Sequence, residues 1–178
     1  MIEFVMPKAV KTDVLYDVII LGAGPAGLTA AIYASRSLLK TLVIDSAPAG
    51  GLASTTEVIE NYPGFPNGVT GPQLMAAFRQ QAEKFQAEII EMIPINSVNL
   101  SGREKIVTTD LGTFRSKAII IASGRRYKEI GVKGEDEYKG KGVSYCATCD
   151  APLFRGKDVV VVGGGSSGIQ ETLRLLKF

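Results

Sequence analysis

Two stretches of this chain, YDVIILGAGPAGLTAAIYA at 16–34 and KDVVVVGGGSSGIQETLRL at 157–175, superimpose without a gap. Asp17 falls on Asp158, Gly22 on Gly163, Gly24 on Gly165 and Gly27 on Gly168. Each copy reads as an apolar strand, a G-x-G-x-x-G turn and the start of a helix. A continuous apolar run such as Val18–Leu21 suits a parallel strand buried on both faces. After the first turn, Leu28, Ala31, Ile32 and Ser35 recur at helical spacing, and TLVIDSA at 41–47 gives a second apolar strand ending in Asp45. The result is a βαβ unit, which expects a right-handed crossover and a parallel sheet. The copies are too far apart for a solenoid. Two dinucleotide-binding units in one chain is the better reading.

The first glycine of such a turn permits the tight bend, the second lets backbone approach a pyrophosphate, and the third lets helix and strand pack closely. The helix N-terminus adds free N–H groups and a partial positive charge. Asp45 stands about where a carboxylate accepts hydrogen bonds from a ribose 2′-OH. A turn that merely joins strand to helix is the competing reading. It is stronger for the second copy, because no second strand follows before Phe178.

Residues 1–15 read as an irregular leader. Residues 47–71 form a Gly/Pro/Ser/Thr/Asn-rich loop, and a loop of that length is usually functional. GPQLMAAFRQQAEKFQAEII then opens a helix with Pro72 at its first position, and Leu74, Phe78, Phe85 and Ile89 share one face. Residues 93–116 alternate weakly and read as a small antiparallel meander. KAIIIASG is a further buried strand ending in a turn at Gly124, and the polar stretch 125–142 reads as a linker or domain boundary. The fold expected is α/β: a Rossmann-like domain with a parallel sheet and a small antiparallel meander, followed by the start of a second dinucleotide-binding domain.

Charge excludes some partners. Lys+Arg 20 against Asp+Glu 18 gives a net charge of +2, so neither nucleic acid nor an anionic membrane is favoured. The N-terminal MIEFVMPKAVK lacks the long apolar core of a secretory signal, and no apolar run reaches the length of a bilayer span. A cytoplasmic location is the default expectation. The 20 glycines are concentrated at special backbone sites, which points away from disorder.

The only two cysteines, Cys146 and Cys149, lie in VSYCATCDAPLF at 143–154. Zinc wants four ligands, and the chain has no histidine, so a metal site is not expected. A structural disulfide closing so small a loop would stabilise little. Two inert buried thiols fit poorly with Ser144, Thr148 and Asp150 around them. A redox dithiol fits best, since C-x-x-C spacing lets the pair close reversibly and lowers the pKa of one thiol. Asp150 is either its proton donor and acceptor or a turn residue before Pro152.

Taken in order, G-A-G-P-A-G, G-G-L, E-N-Y-P-G, A-S-G, C-A-T-C-D and G-G-G-S-S-G closely resemble the low-molecular-weight, bacterial-type thioredoxin reductases over residues 14–178. The resemblance implies an FAD-binding domain begun by residues 1–128 and an NAD(P)H-binding domain begun by 129–178. It implies that Gly22, Gly24, Pro25, Ala26 and Gly27 hold the FAD pyrophosphate, and that Asp45, Ser46, Gly50, Gly51 and Leu52 surround its ribose and phosphate. Asn61 would stand near the flavin, and Ser123 and Gly124 would form the turn ending the first half of that domain. Gly163, Gly165, Ser166 and Gly168 would form the NADPH turn. Cys149 looks like the thiol facing the flavin, Cys146 like the thiol that attacks the partner's disulfide, and Asp150 like the acid/base. The implied partner is thioredoxin or a thioredoxin-like protein, and the implied assembly is a homodimer. In the family the smaller domain rotates, and the stretch 124–142 suits such a hinge.

Some positions depart from the family's pattern. Leu52 stands for the usual Gln, A-S-G for A-T-G, and Gly168 for a common Ala. Family members are also considerably longer. The expectation is therefore a fragment, or a chain completed by other segments, and a fragment would show little or no NADPH-dependent turnover. The alternatives are the same architecture with another donor or acceptor, or a catalytically idle FAD-binding fragment. A ferredoxin-fed flavin reductase, a dithiol oxidase and the reductase of a peroxide-reducing system belong to the first group.

Overall fold

Strand β1 (Leu15–Leu21), an almost unbroken apolar run, lies inside a six-stranded sheet ordered β3-β2-β1-β6-β5-β4. The structure, a computed structural model, describes residues 12–178. The expected leader therefore lies almost wholly outside the described residues. β1 pairs in parallel with β2 (Thr41–Ile44) and β6 (Gly112–Ile121), and β2 in parallel with β3 (Glu88–Ile90). β4 (Ile95–Asn99), β5 (Lys105–Thr109) and β6 form an antiparallel meander continuous with the parallel part. Helix α1 (Pro25–Arg36) crosses from β1 to β2, and α2 (Gly71–Lys84) precedes β3.

Strand β1 is buried on both faces, as its sequence requires. Val18 and Ile20 join Leu28, Ala31 and Ile32 of α1 and Ala82 of α2 in one core. Ile19 and Leu21 join Leu42, Ile44, Val107 and Phe114 in the other. Each such Val, Leu, Ile or Phe side chain contributes about 1.5–3 kcal/mol by leaving water. At the N-terminal end of β1, Asp17 accepts the Lys40 N–H at 2.8 Å and pairs with Lys117 Nζ at 2.7 Å, fastening β1 to both flanking segments. These two hydrogen bonds, that to Lys117 first, hold the Asp17 carboxyl below its ordinary range.

The helix expected through Ile89 ends at Lys84. Gln86 adopts φ 70°, and Ile89 belongs to β3. No Gly or Pro announced that stop; a left-handed Gln made it. Phe78 and Phe85 still pack on the core as expected. The last expected meander strand and the KAIII strand are one ten-residue strand, β6. Its end is not buried. Pairing with β5 stops at Ser116, and beyond it Ile120 and Ile121 are 38% and 65% exposed.

The molecule divides into two compact units. One comprises the described residues up to Thr56 with Thr70–Arg125, and the other Glu57–Val69 with Arg126–Phe178. The long loop is split between them: Gly51–Thr55 is a 3-10 turn of the first unit, and Ile59 bridges Val69 in the second. In the second unit, α3 (Ala147–Asp150) is followed by a 3-10 turn at Ala151–Phe154 and by α4 (Ser166–Leu175). The apolar run Val159–Val162 is not a strand. No described segment pairs with it, and Val160 is 91% exposed. The stretch 125–142 is not a plain linker, because Glu135 within it is buried and makes several hydrogen bonds.

Candidate functional site

The C-terminal ends of β1, β2 and β6 converge where the chain order of the sheet reverses, which is where open α/β sheets place their ligands. Gly22 N donates to Ile44 O, and Ala122 N to Leu21 O, both at 2.8 Å. Gly22 has φ 107°, and a Cβ there would stand 2.3 Å from Ala122 O. A Cβ on Gly27 would stand 1.8 Å from Gly22 O, so α1 packs on the turn only because that side chain is absent. Gly24 caps α1 without any side-chain hydrogen bond, and Pro25 and Ala26 are exposed.

Asp45 is bound into this turn. Its carboxylate accepts the Ala23 N–H at 2.6 Å and the Ala47 N–H at 2.9 Å. Gly50 N donates to Ala23 O at 2.8 Å, bringing the second glycine stretch onto the first, and Gly51 Cα lies 3.9 Å from where a Gly24 Cβ would be. Ser123 Cα would be 3.1 Å from a Gly22 Cβ. The structure thus brings together Gly22, Gly24, Gly27, Asp45, Gly50, Gly51 and Ser123. Ser46 and Gly124 are exposed nearby in the chain, and Leu52 is half-buried in the 3-10 turn. The cradle fits a dinucleotide pyrophosphate: its floor is backbone where a Cβ would collide, and the helix start above it carries no side-chain cap.

Sequence reasoning missed the support beneath the cradle. Glu91 accepts the Ala49 N–H at 2.5 Å and pairs with Arg79 at 2.6 Å, while Arg79 also meets Glu83 at 2.9 Å. The signal available was a carboxylate directly after the apolar pair Ile89–Ile90 of β3.

The second unit repeats the turn. Gly163 has φ 121°, and a Cβ on Gly168 would stand 2.2 Å from Gly163 O. Gly165 caps α4 at φ −77° and ψ 172°, against φ −74° and ψ −174° for Gly24. Ser166 opens α4 and is exposed. Unlike α1, α4 buries none of its residues. Asn61 lies in this unit, on an exposed loop at 60–66 whose shallow cavity of about 330 Å³ is also lined by Tyr62 and Phe65.

Cys146 and Cys149 form a disulfide, with Cα atoms 5.3 Å apart. Cys146 caps α3, and its carbonyl accepts the N–H groups of Cys149 and Asp150, both at 3.0 Å. Ser144 Oγ accepts the Cys146 N–H at 3.1 Å and donates to Asp150 at 2.5 Å. Asp150 is therefore tied to the backbone of the first cysteine through one hydroxyl. Cys149 is exposed and Cys146 half-buried. Just upstream, Tyr145 OH donates to Glu135 at 2.5 Å. That bond, then burial, pushes the phenol up to about 12, and the same bond with the N–H groups of Ile130 and Gly131 lowers the Glu135 carboxyl. Among the described residues no cluster of His, Cys, Asp and Glu could hold a metal, and no helix is long and apolar enough to cross a membrane.

The chain is 47% identical over 167 residues to a thioredoxin reductase of Mycolicibacterium smegmatis, covering 94% of this chain and 53% of that protein. It is 48% identical over 165 residues to a thioredoxin reductase of Bacillus subtilis, covering 92% and 51%. Among solved structures, a thioredoxin reductase from Streptococcus pyogenes matches with a TM-score of 0.88 at 42% identity, covering 92% of this chain and 53% of that one. The chain spans about half the length of the curated relatives it matches. A family model described as pyridine nucleotide-disulphide oxidoreductase matches residues 16–178, taking in both glycine turns and the disulfide between them. By that match and these relatives, the chain belongs to the pyridine nucleotide-disulphide oxidoreductase family.

Proposed function

We propose that this chain carries the FAD cradle, the first turn of an NADPH site and the redox disulfide of a flavin-dependent reductase whose partner is thioredoxin or a thioredoxin-like protein. The observation that carries the reading is the Cys146–Cys149 disulfide in one chain with two glycine turns of matching backbone geometry. We assign residues 1–128 to the FAD-binding domain and 129–178 to the start of the nicotinamide domain. A cytoplasmic homodimer is the setting this reading carries.

Gly22, Gly24 and Gly27, with the start of α1, would hold the pyrophosphate, and Gly163, Gly165 and Gly168 would hold that of the nicotinamide cofactor. Bound FAD supplies the means to take a hydride from that cofactor and deliver two electrons to the disulfide. The chain's own residues do the rest. With the pair reduced, the Cys146 thiolate attacks the partner's disulfide, forming a mixed disulfide and expelling one partner thiolate. Cys149 then displaces the second partner sulfur, closing Cys146–Cys149 and leaving the partner with two thiols. Asp150, held beside the pair through Ser144, takes and returns the proton.

The test is a thiol titration before and after anaerobic photoreduction of the FAD-loaded chain. A gain of two thiols is expected, and no gain with flavin bound overturns the reading. In a longer form, NADPH should bleach the flavin and thioredoxin should reoxidise it.

A further inference from the structure

We propose that Tyr145 and Glu135 form a latch holding the backbone that enters Cys146, and so act as positioning residues for dithiol–disulfide exchange. The inference rests on the redox reading above. Glu135 is only 6% exposed, yet it lies in one of the most polar stretches of the chain. Its two oxygens accept the Ile130 N–H at 3.0 Å, the Gly131 N–H at 2.7 Å and the Tyr145 hydroxyl at 2.5 Å. A buried carboxylate with several charge-assisted hydrogen bonds is a stiff anchor. The Tyr145 ring is fixed as well. It stacks on Tyr127 with centroids 4.9 Å apart and 12° between planes, and Lys139 Nζ lies 5.3 Å from its centroid. Lys139 is itself paired with Glu129 at 2.9 Å.

The Glu135 hydrogen bond, the Tyr127 stack and the Lys139 contact all act on Tyr145, one residue before Cys146. The segment leading there turns at Gly140 and Gly142, both at positive φ, and is held by the hydrogen bonds Gly140 N–H to Val143 O and Val143 N–H to Tyr138 O, so the Tyr145 contacts extend that support toward Cys146. When the disulfide opens, two electrons and two protons enter and the sulfurs are free to part. A support that keeps Cys146 near Cys149 in the dithiol raises the effective concentration of one thiol at the other, which favours the closed pair. Ser144 and Asp150 restrain the same residue from the other side.

The test equilibrates the full chain with mixtures of reduced and oxidised glutathione, blocks free thiols and reads the oxidised fraction by mass. In that equilibrium the dithiol closes to the disulfide while oxidised glutathione becomes two reduced molecules. Y145F keeps the ring and removes the latch. It should lower the equilibrium constant for closure about fivefold, part of what a hydrogen bond to a charged group contributes. E135Q should shift it the same way, and Y145F/E135Q no further than the larger single change. A residue that merely supports the fold would lower the melting temperature of oxidised and reduced chains equally and leave the equilibrium unmoved. Closure within about twofold of wild type in a folded Y145F chain overturns the latch, and E135Q is judged likewise should Y145F not fold. A wild-type pair that never exchanges with glutathione would instead bring down the redox reading itself.

Discussion

The carboxylate of Asp45, one residue past β2, accepts the N–H of Ala23 at 2.6 Å from the middle of the first glycine turn. Its other oxygen accepts the Ala47 N–H, so one side chain ties the turn to the segment leading to Gly50 and Gly51. Asp45→Ala removes both acceptors and leaves two N–H groups without them. We expect a loss of about 1.5–3 kcal/mol of stability, as for hydrogen bonds to a charged group. FAD affinity should fall at least about tenfold, since the turn is no longer held for the pyrophosphate. Denaturant melts and flavin-fluorescence titrations check the two effects separately. Retention of both would show that Asp45 supports neither the turn nor the ligand.

Gly27 and Gly168 occupy equivalent places but differ in what surrounds them. A Cβ would meet backbone at 1.8 Å in the first and 2.2 Å in the second, so a helix must move in either case. Helix α1 cannot, because Leu28, Ala31, Ile32 and Ser35 are all buried, whereas α4 buries nothing. Gly27→Ala should cost about 3 kcal/mol or more and abolish FAD binding, while Gly168→Ala should stay within about 1 kcal/mol of wild type. Thermal melts of the two variants, side by side, decide it.

The same contrast shows what was legible in the sequence. The strand–turn–helix at 16–36 could be read because its apolar period, glycines and caps all agree with the packing around it. Val159–Val162 carries an equally clear strand pattern, but a strand needs a neighbour, and none of the described segments provides one. Gln86 ended α2 without any residue-level stop, which hid β3. At the site, the glycines and cysteines announced themselves by spacing. Glu91 and Glu135 did not, because each works on backbone N–H groups brought to it by the fold.

The latch should depend on pH at both ends. The Glu135 carboxyl is lowered from 4.5 by its hydrogen bonds, that from Tyr145 first. Its stabilisation is therefore complete above the unfolded value and is lost as pH falls through the folded one. The Tyr145 phenol is raised from 10.0 to about 12, so its contribution is present below 10 and lost as pH rises toward 12. Lys139, Glu129 and Asp136 are the other charged groups that face the same cluster. The melting-temperature difference between wild type and Glu135→Gln should be largest in the neutral range and shrink below about pH 4.5. A difference that stays flat from about pH 3 to about pH 7, on both sides of the ordinary carboxyl value of 4.5, would mean that the charge of Glu135 contributes nothing.

The two cysteines should be separable by trapping. The proposed attack by Cys146 predicts that Cys149→Ser, with no thiol left to resolve the intermediate, accumulates a mixed disulfide with oxidised thioredoxin. Cys146→Ser should accumulate less than about a tenth as much, because exchange depends on which sulfur is positioned and ionised. Exposure alone argues the reverse, since Cys149 is exposed and Cys146 half-buried. Intact-mass analysis of both variants, loaded with FAD, therefore separates position from access. In either background Asp150→Asn should slow adduct formation about 10²-fold or more if its carboxylate moves the proton. It should leave the rate within a few-fold if its only service is to hold Ser144 against the Cys146 N–H, because Asn still offers an acceptor oxygen to that hydroxyl.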